Sequence, residues 1–339
     1  MLCYDGMMII YALLCYDEKM EPIDDGYDVI AWMLTNSLGL IDGSATDIAT
    51  HNGAARQLTL TGQRRMDHFV AIIATIVEDE IPGSIIETGV WRGGMSFMAA
   101  KALDILKDKE RTVYLSDSFE GIPDPTQYGD KAHPHDVKKN PHHYSSLNEN
   151  SVDRVKRDGA MFGISASRVS YVVGYFKDSL PQLIKNEPNI QFAAVRLDGD
   201  TYWSTMEAIE VLYPRLSPGG FLVIDDFTDW DSCRDAIYDY RKKYGITENI
   251  FLVPHLTENG EYIRGAYWRK SKKGTNIRGS TYAECLGAPK GSLRLSGSYN
   301  PSHPTQLTKH EATSYQGKTL TWVNDSDVII YRCDLNLAK

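Results

Sequence analysis

No stretch of this 339-residue chain reaches the ~18 consecutive apolar residues that a membrane-spanning helix needs. A basic excess is missing as well, since 36 Lys and Arg stand against 45 Asp and Glu for a formal net charge of -9. That balance argues against a nucleic-acid backbone or an anionic membrane surface as the main partner. The five cysteines, Cys3, Cys15, Cys233, Cys285 and Cys333, are scattered, odd in number and free of any CxxC spacing. A disulfide framework and a cysteine zinc site are thereby disfavoured, and reduced thiols in a cytoplasmic protein are expected. The opening run MLCYDGMMIIYALLC lacks a basic start, is interrupted by Asp5 and has no small-residue cleavage site, so it reads as folded chain and not as a leader. No internal repeat is evident.

What is present is a regular alternation of helix and strand that begins at Gln63. The amphipathic stretch 64–79 is broken by Pro82-Gly83, and Ser84–Thr88 reads as a short buried strand. A Gly-rich turn leads to a helix over about 96–106. Further strands are expected at 112–116, 169–173, 192–197 and 221–224, with helices from Ser179, over 204–213 and over 231–244, and two last strands at 251–254 and 265–268. Single helices between strands imply parallel neighbours, so the expected fold class is α/β: a doubly wound, mostly parallel, Rossmann-like sheet. Residues 1–62 read as an N-terminal helical extension, with a helix at 28–40, and 63–270 as the central domain. Residues 271–339 read as a small β-rich or disordered tail, with strands at 292–299 and a hairpin in 320–331 around Asn324-Asp325. The polar segment 123–150, rich in Pro and His, has no hydrophobic period and is expected to be a lid or substrate loop.

The acidic residues fall at the strand ends, where ligands of such sheets bind. Glu87-Thr88-Gly89-Val90-Trp91-Arg92-Gly93-Gly94 follows the first strand and opens a helix. A dinucleotide fingerprint would need glycine where Trp91 stands, and Glu87 would repel a pyrophosphate but could receive a cationic amine or sulfonium. Asp117, thirty residues on at the end of the second strand, is placed to accept ribose hydroxyls. Asp198-Gly199-Asp200 and Asp225-Asp226 bring four carboxylates to two neighbouring strand tips, where they would raise one another's pKa unless a cation compensated. Hard oxygen ligands select Mg²⁺, Mn²⁺ or Ca²⁺. His133, His135, His142 and His143 have no cysteine partner and no regular spacing, so solvated or substrate-contacting roles are favoured over zinc. Cys233 reads as a packing residue, and the sequon Asn324-Asp325-Ser326 is discounted in a cytoplasmic chain.

Together ETGVWRGG, LSDSFEGIPDP, GYFKDSLP, RLDGDTYWSTMEAIEVLYPRLSPGGFLVIDDF and CRDAIYDYR resemble the macrocin O-methyltransferase family, which includes macrolide-sugar and aminocoumarin-sugar enzymes. TLTGQRRMDH and MLTNSLGL are similar to its N-terminal elements, so the resemblance runs over 27–270. It implies a class I methyltransferase sheet, S-adenosylmethionine as methyl donor, Mg²⁺ or another hard divalent cation, and a small-molecule sugar hydroxyl as acceptor. By position, Asp198, Asp225 and Asp226 would hold the metal and Asp200 would be the general base. Glu87, Thr88, Gly89, Asp117, Ser118, Phe119 and Asp198 would line the donor, with Gly174 and Tyr175 at its adenine end, Tyr175 standing where a Trp is common. Arg65 and the 59–61 turn match the family's lid; the His-rich loop at 130–145 and the tail beyond Lys270 do not match the family pattern. A homo-oligomer is compatible with the sequence. Two other classes remain open: a non-catalytic S-adenosylmethionine-binding scaffold, and a dinucleotide-dependent oxidoreductase, which Trp91 and the carboxylates oppose.

Overall fold

The computed structural model describes residues 50–51, 54–55, 58–61, 63–140, 150–257 and 260–271, together with strands at 310–315, 318–325 and 328–335. The expected helix at 28–40 and strand at 292–299 lie outside these residues. Helix α1 (Gln63–Glu78) buries Met66, Phe69, Val70, Ile73 and Ile76, the helical spacing seen in the sequence. Then follow β1 (Ser84–Thr88), α2 (Gly94–Ile105) and β2 (Val113–Asp117). After α3 (Pro134–Lys139) and α4 (Val152–Met161) come β3 (Val169–Val173), α5 (Phe176–Asn186), β4 (Phe192–Leu197) and α6 (Tyr202–Leu212). Strand β5 (Leu216–Ile224), α7 (Asp231–Tyr244), β6 (Ile250–Thr257) and β7 (Gly260–Arg269) complete the central unit.

These strands lie in the order β3-β2-β1-β4-β5-β7-β6. The pairs among β1 to β5 are parallel, and β7 runs antiparallel to both β5 and β6. Successive side chains of a strand face opposite sides, and the core divides accordingly. Ile85, Val113, Leu115, Phe221 and Val223 pack with α1 and α2 on one face. Ile86, Tyr114, Val195, Leu222 and Ile224 pack with α5, α6 and α7 on the other. Both faces being covered, the strands read as apolar runs and not as alternating patterns. The chain order reverses between β1 and β4, so the ligand crevice lies beyond the C-terminal tips of those two strands.

Two features depart from the sequence reading. The segment 123–150 was expected to be irregular, but it contains a 3-10 turn at Pro125–Lys131 and helix α3, and α4 follows directly. Local caps explain this: Asp124 accepts from the amide of Thr126, His133 from that of His135, and Ser151 from that of Arg154. Helix α4 docks through Val152, Val155 and Gly159, at helical spacing, with Asp158 buried beside them; its five charged residues leave only this short stripe. Secondly, the tail adds β8 (His310–Tyr315), β9 (Lys318–Asp325) and β10 (Val328–Leu335), which extend the sheet because β10 pairs parallel with β6 through Val328–Ile250, Ile329–Phe251 and Ile330–Leu252. The expected hairpin is β9–β10; Asn324 and Asp325 lie within β9, paired with Ile329 and Val328, and not in the turn between the strands.

Candidate active site

The tips of β1 and β4 press together. Asp198 donates its backbone N–H to the Thr88 carbonyl at 2.8 Å, and Gly89 adopts φ +84°. A Cβ on Gly89 would sit 1.8 Å from the Asp198 carbonyl oxygen, so no other residue fits without moving backbone. Asp117, at the tip of β2, fastens the turn beside it. Its Oδ2 accepts from the amides of Val90 at 2.8 Å and Trp91 at 3.0 Å, and its Oδ1 from that of Phe119 at 2.8 Å. Burial pushes this carboxyl above its ordinary range and the three amides oppose the shift. They also hold Trp91 and Phe119 in left-handed backbone conformations that side chains other than Gly rarely take.

Beneath this turn lies a buried ion cluster centred on Arg196. Its Nη1 donates to Glu87 Oε1 and to Asp198 Oδ2, each at 2.5 Å, while Nη2 donates to Thr61 Oγ1 at 3.0 Å and to Asp225 Oδ1. Arg65, from α1, donates to the other oxygen of Asp225, and the Ser96 hydroxyl donates to Glu87 Oε2. Burial raises the Glu87 carboxyl to about 7; Arg196 pulls it down and Asp198 pushes it up. Asp226 is held well above its ordinary range, first by burial and then by Asp200, Asp198 and Asp225. Asp200 stands in a left-handed turn at φ +57° and donates its backbone N–H to Asp226 Oδ2 at 3.3 Å.

The carboxyl groups of Glu87, Asp117, Asp198, Asp200, Asp225 and Asp226, with Arg65 and Thr61, border one cleft of about 300 Å³. Of the residues singled out in the sequence, Glu87, Gly89, Asp117, Ser118, Tyr175, Asp198, Asp200, Asp225 and Asp226 line it, as do Thr59, Thr61 and Arg65. Thr88, Phe119 and Gly174 do not line it; they lie behind the wall, where Thr88 Oγ1 donates to the Arg196 carbonyl and the amides of Phe119 and Gly174 bond to Asp117. Arg196 was not singled out, although a lone charge inside the apolar run FAAVRL was the available signal. Trp91, Asn150, Glu207 and Trp230 also line the cleft. His133 and His135 pack against Tyr202 and Trp230, while His142 and His143 fall outside the described residues. Cys233 is buried and its thiol is held well above its ordinary range by burial, which suits packing.

Asp198, Asp225 and Asp226 each offer a carboxylate oxygen, all within 4.8 Å of one another. With Glu87 and Asp200 they make five carboxyl groups facing two guanidiniums, a formal excess of three negative charges. Around Asp226, burial and the charges of Asp200, Asp198 and Asp225 outweigh the pull of Arg65. An all-oxygen donor set with uncompensated charge fits a hard divalent cation.

The macrocin O-methyltransferase (TylF) family profile matches residues 46–270, two thirds of the chain. The chain is 40% identical over 211 residues to 8-demethyl-8-(2,3-dimethoxy-alpha-L-rhamnosyl)-tetracenomycin-C 4'-O-methyltransferase of Streptomyces olivaceus, covering 62% of this chain and 75% of that protein. It is 35% identical over 215 residues to mycinamicin III 3''-O-methyltransferase of Micromonospora griseorubida, covering 63% and 78%. Among solved structures, that of the O-methyltransferase NovP superposes with a TM-score of 0.62 at 28% identity, over 73% of this chain and all of that one. The chain therefore belongs to the macrocin O-methyltransferase family, and is an enzyme of the methyltransferase class.

Proposed function

We propose that this enzyme transfers the methyl group of S-adenosylmethionine to a hydroxyl of a sugar or glycosylated small molecule. The observation that carries this reading is the convergence of Glu87, Asp117, Asp198, Asp200, Asp225 and Asp226 on one cleft at the switch point of the sheet. Glu87 receives the ammonium group of the donor, and Asp117 the ribose hydroxyls, both carboxyl groups lining the cleft. Asp198, Asp225 and Asp226 hold a divalent cation, which when bound supplies positive charge that makes a nearby hydroxyl more acidic. Asp200, beside Asp226 on its own turn, accepts the hydroxyl proton as the methyl group transfers in line. The acceptor class is supported by the relatives, one of which is named for a rhamnosyl-bearing compound. In this reading residues 63–270 are the catalytic domain of a cytoplasmic enzyme, 1–62 an N-terminal extension and lid, and 271–339 a C-terminal extension.

The test is a methyl-transfer screen with labelled S-adenosylmethionine against glycosylated and phenolic small molecules, with Mg²⁺ and with excess chelator. Metal-dependent labelling of glycosides is expected. Tight donor binding with no hydroxylated acceptor labelled would favour a scaffold role and overturn the proposal.

A further inference from the structure

Helix α3 is exposed along most of its length, with Pro134, Val137, Lys138 and Lys139 at the surface, yet its Asp136 is 2% exposed. A carboxylate is buried in so short a surface helix only where partners replace water. Asp136 Oδ2 accepts from the backbone N–H of Tyr202 at 2.9 Å, and its Oδ1 accepts from the Ser232 hydroxyl at 2.5 Å. Tyr202 opens α6, two residues after Asp200; Ser232 lies in the first turn of α7, six after Asp226. One side chain thus joins the 123–140 segment to the starts of both helices that leave the carboxylate tips. Around it, His135 places its ring edge-on to Trp230 with centroids 5.5 Å apart, and His133 stacks on Tyr202 at 5.3 Å and meets Asp235 at 3.2 Å. Trp230 lines the cleft, as do Pro123, which opens the same segment, and Ile122 just before it.

We propose that Asp136 is a positioning residue for the acceptor: it docks the 123–140 segment so that Trp230, Ile122 and Pro123 form the wall against which a pyranose ring rests beside the carboxylates. Such a ring has an apolar C–H face suited to an indole and hydroxyls suited to Asp200. The donor's end of the cleft, at Glu87 and Asp117, shares none of these contacts. The inference rests on the sugar reading above and adds where the sugar is gripped.

The experiment uses the full chain with Mg²⁺, labelled S-adenosylmethionine and methyl α-L-rhamnopyranoside as acceptor, comparing wild type, Asp136→Ala, Asp136→Asn and Lys139→Ala. Asp136→Ala is expected to raise the acceptor KM at least tenfold, on the order of one lost buried hydrogen-bonding group, with kcat within threefold. Asp136→Asn should fall between it and wild type, and Lys139→Ala should match wild type. S-adenosylhomocysteine affinity, read by calorimetry, should stay within twofold in every variant. In parallel, amide hydrogen exchange over 124–140 and 228–234 should accelerate in Asp136→Ala. Accelerated exchange with an unchanged acceptor KM would make Asp136 structural only and overturn the inference, and so would a loss of donor affinity equal to the rise in KM. A wild-type enzyme that binds donor but leaves the rhamnoside and every other glycoside unlabelled would refute the sugar reading itself, and the inference with it.

Discussion

Replacing Arg196 with methionine removes the guanidinium that Glu87, Asp198 and Asp225 share while keeping most of the side-chain volume. Arg196 is 1% exposed, so water cannot take its place. Deleting one partner of a buried ion pair costs about 3–5 kcal/mol, because the remaining charge is left uncompensated. In a domain of this size each kcal/mol lowers Tm by roughly 2–4 °C, so Arg196→Met should melt about 6–20 °C below wild type in chelator at neutral pH. The deficit should shrink on acidification, since protonation discharges the carboxylates that Arg196 served. Added Mg²⁺ should raise Tm more in the variant than in wild type, because a ligand at free concentration L stabilises the folded state by RT ln(1 + L/Kd) and the more negative variant site binds the cation more tightly. Differential scanning calorimetry with and without Mg²⁺ reads all three effects. A deficit of a degree or less at neutral pH would mean that the cluster is not energetically coupled as its contacts imply, and an equal Mg²⁺ response in the two proteins would refute the electrostatic reasoning.

Glu87→Gln should flatten the pH dependence of stability between about 4.5 and 7. The folded chain holds the Glu87 proton more tightly than the unfolded chain, from 4.5 up to about 7. Its contribution is therefore fully present below pH 4.5, declines as pH rises and is lost above about 7, on the order of 3 kcal/mol in all. Urea midpoints across that range check the slope, and an unchanged slope in the variant would assign it to other groups. Gly89→Ala should prevent soluble expression or lower Tm by more than 10 °C (roughly the effect of a few kcal/mol of strain), because its Cβ meets the Asp198 carbonyl oxygen. A soluble Gly89→Ala protein with wild-type Tm and donor affinity would show that the β1 and β4 tips are not held as tightly as described.

Much of the fold could be read from local chemistry. Buried parallel strands advertise themselves as short apolar runs between Gly and Pro breaks, so β1 to β5 fell within a residue or so of their places, except that β5 begins at Leu216, before its Pro218-Gly219-Gly220 break. The acidic strand ends were legible for the same reason, since an apolar run that stops in Asp-Gly-Asp or Asp-Asp marks a tip with charge on it. Arg196 was hidden because its role is tertiary. Nothing near it in sequence except Asp198 shares its contacts, and Glu87, Thr61 and Asp225 arrive from 109, 135 and 29 residues away. Asp136 was hidden likewise, in a segment whose helix depends on caps and on docking to α6 and α7 instead of on an apolar stripe. Helix α4 shows a different limit: Val152, Val155 and Gly159 keep helical spacing but form only a short stripe among five charged residues.

The division of labour among the carboxylates is tested most directly by calorimetric titration of Mg²⁺ into the enzyme saturated with S-adenosylhomocysteine, for wild type, Asp225→Asn and Asp200→Asn. Wild type should bind Mg²⁺, Asp225→Asn should lose that binding at least tenfold, and Asp200→Asn should keep it within a fewfold while losing methyl transfer. No Mg²⁺ binding in wild type, or equal binding in wild type and Asp225→Asn, would contradict the account.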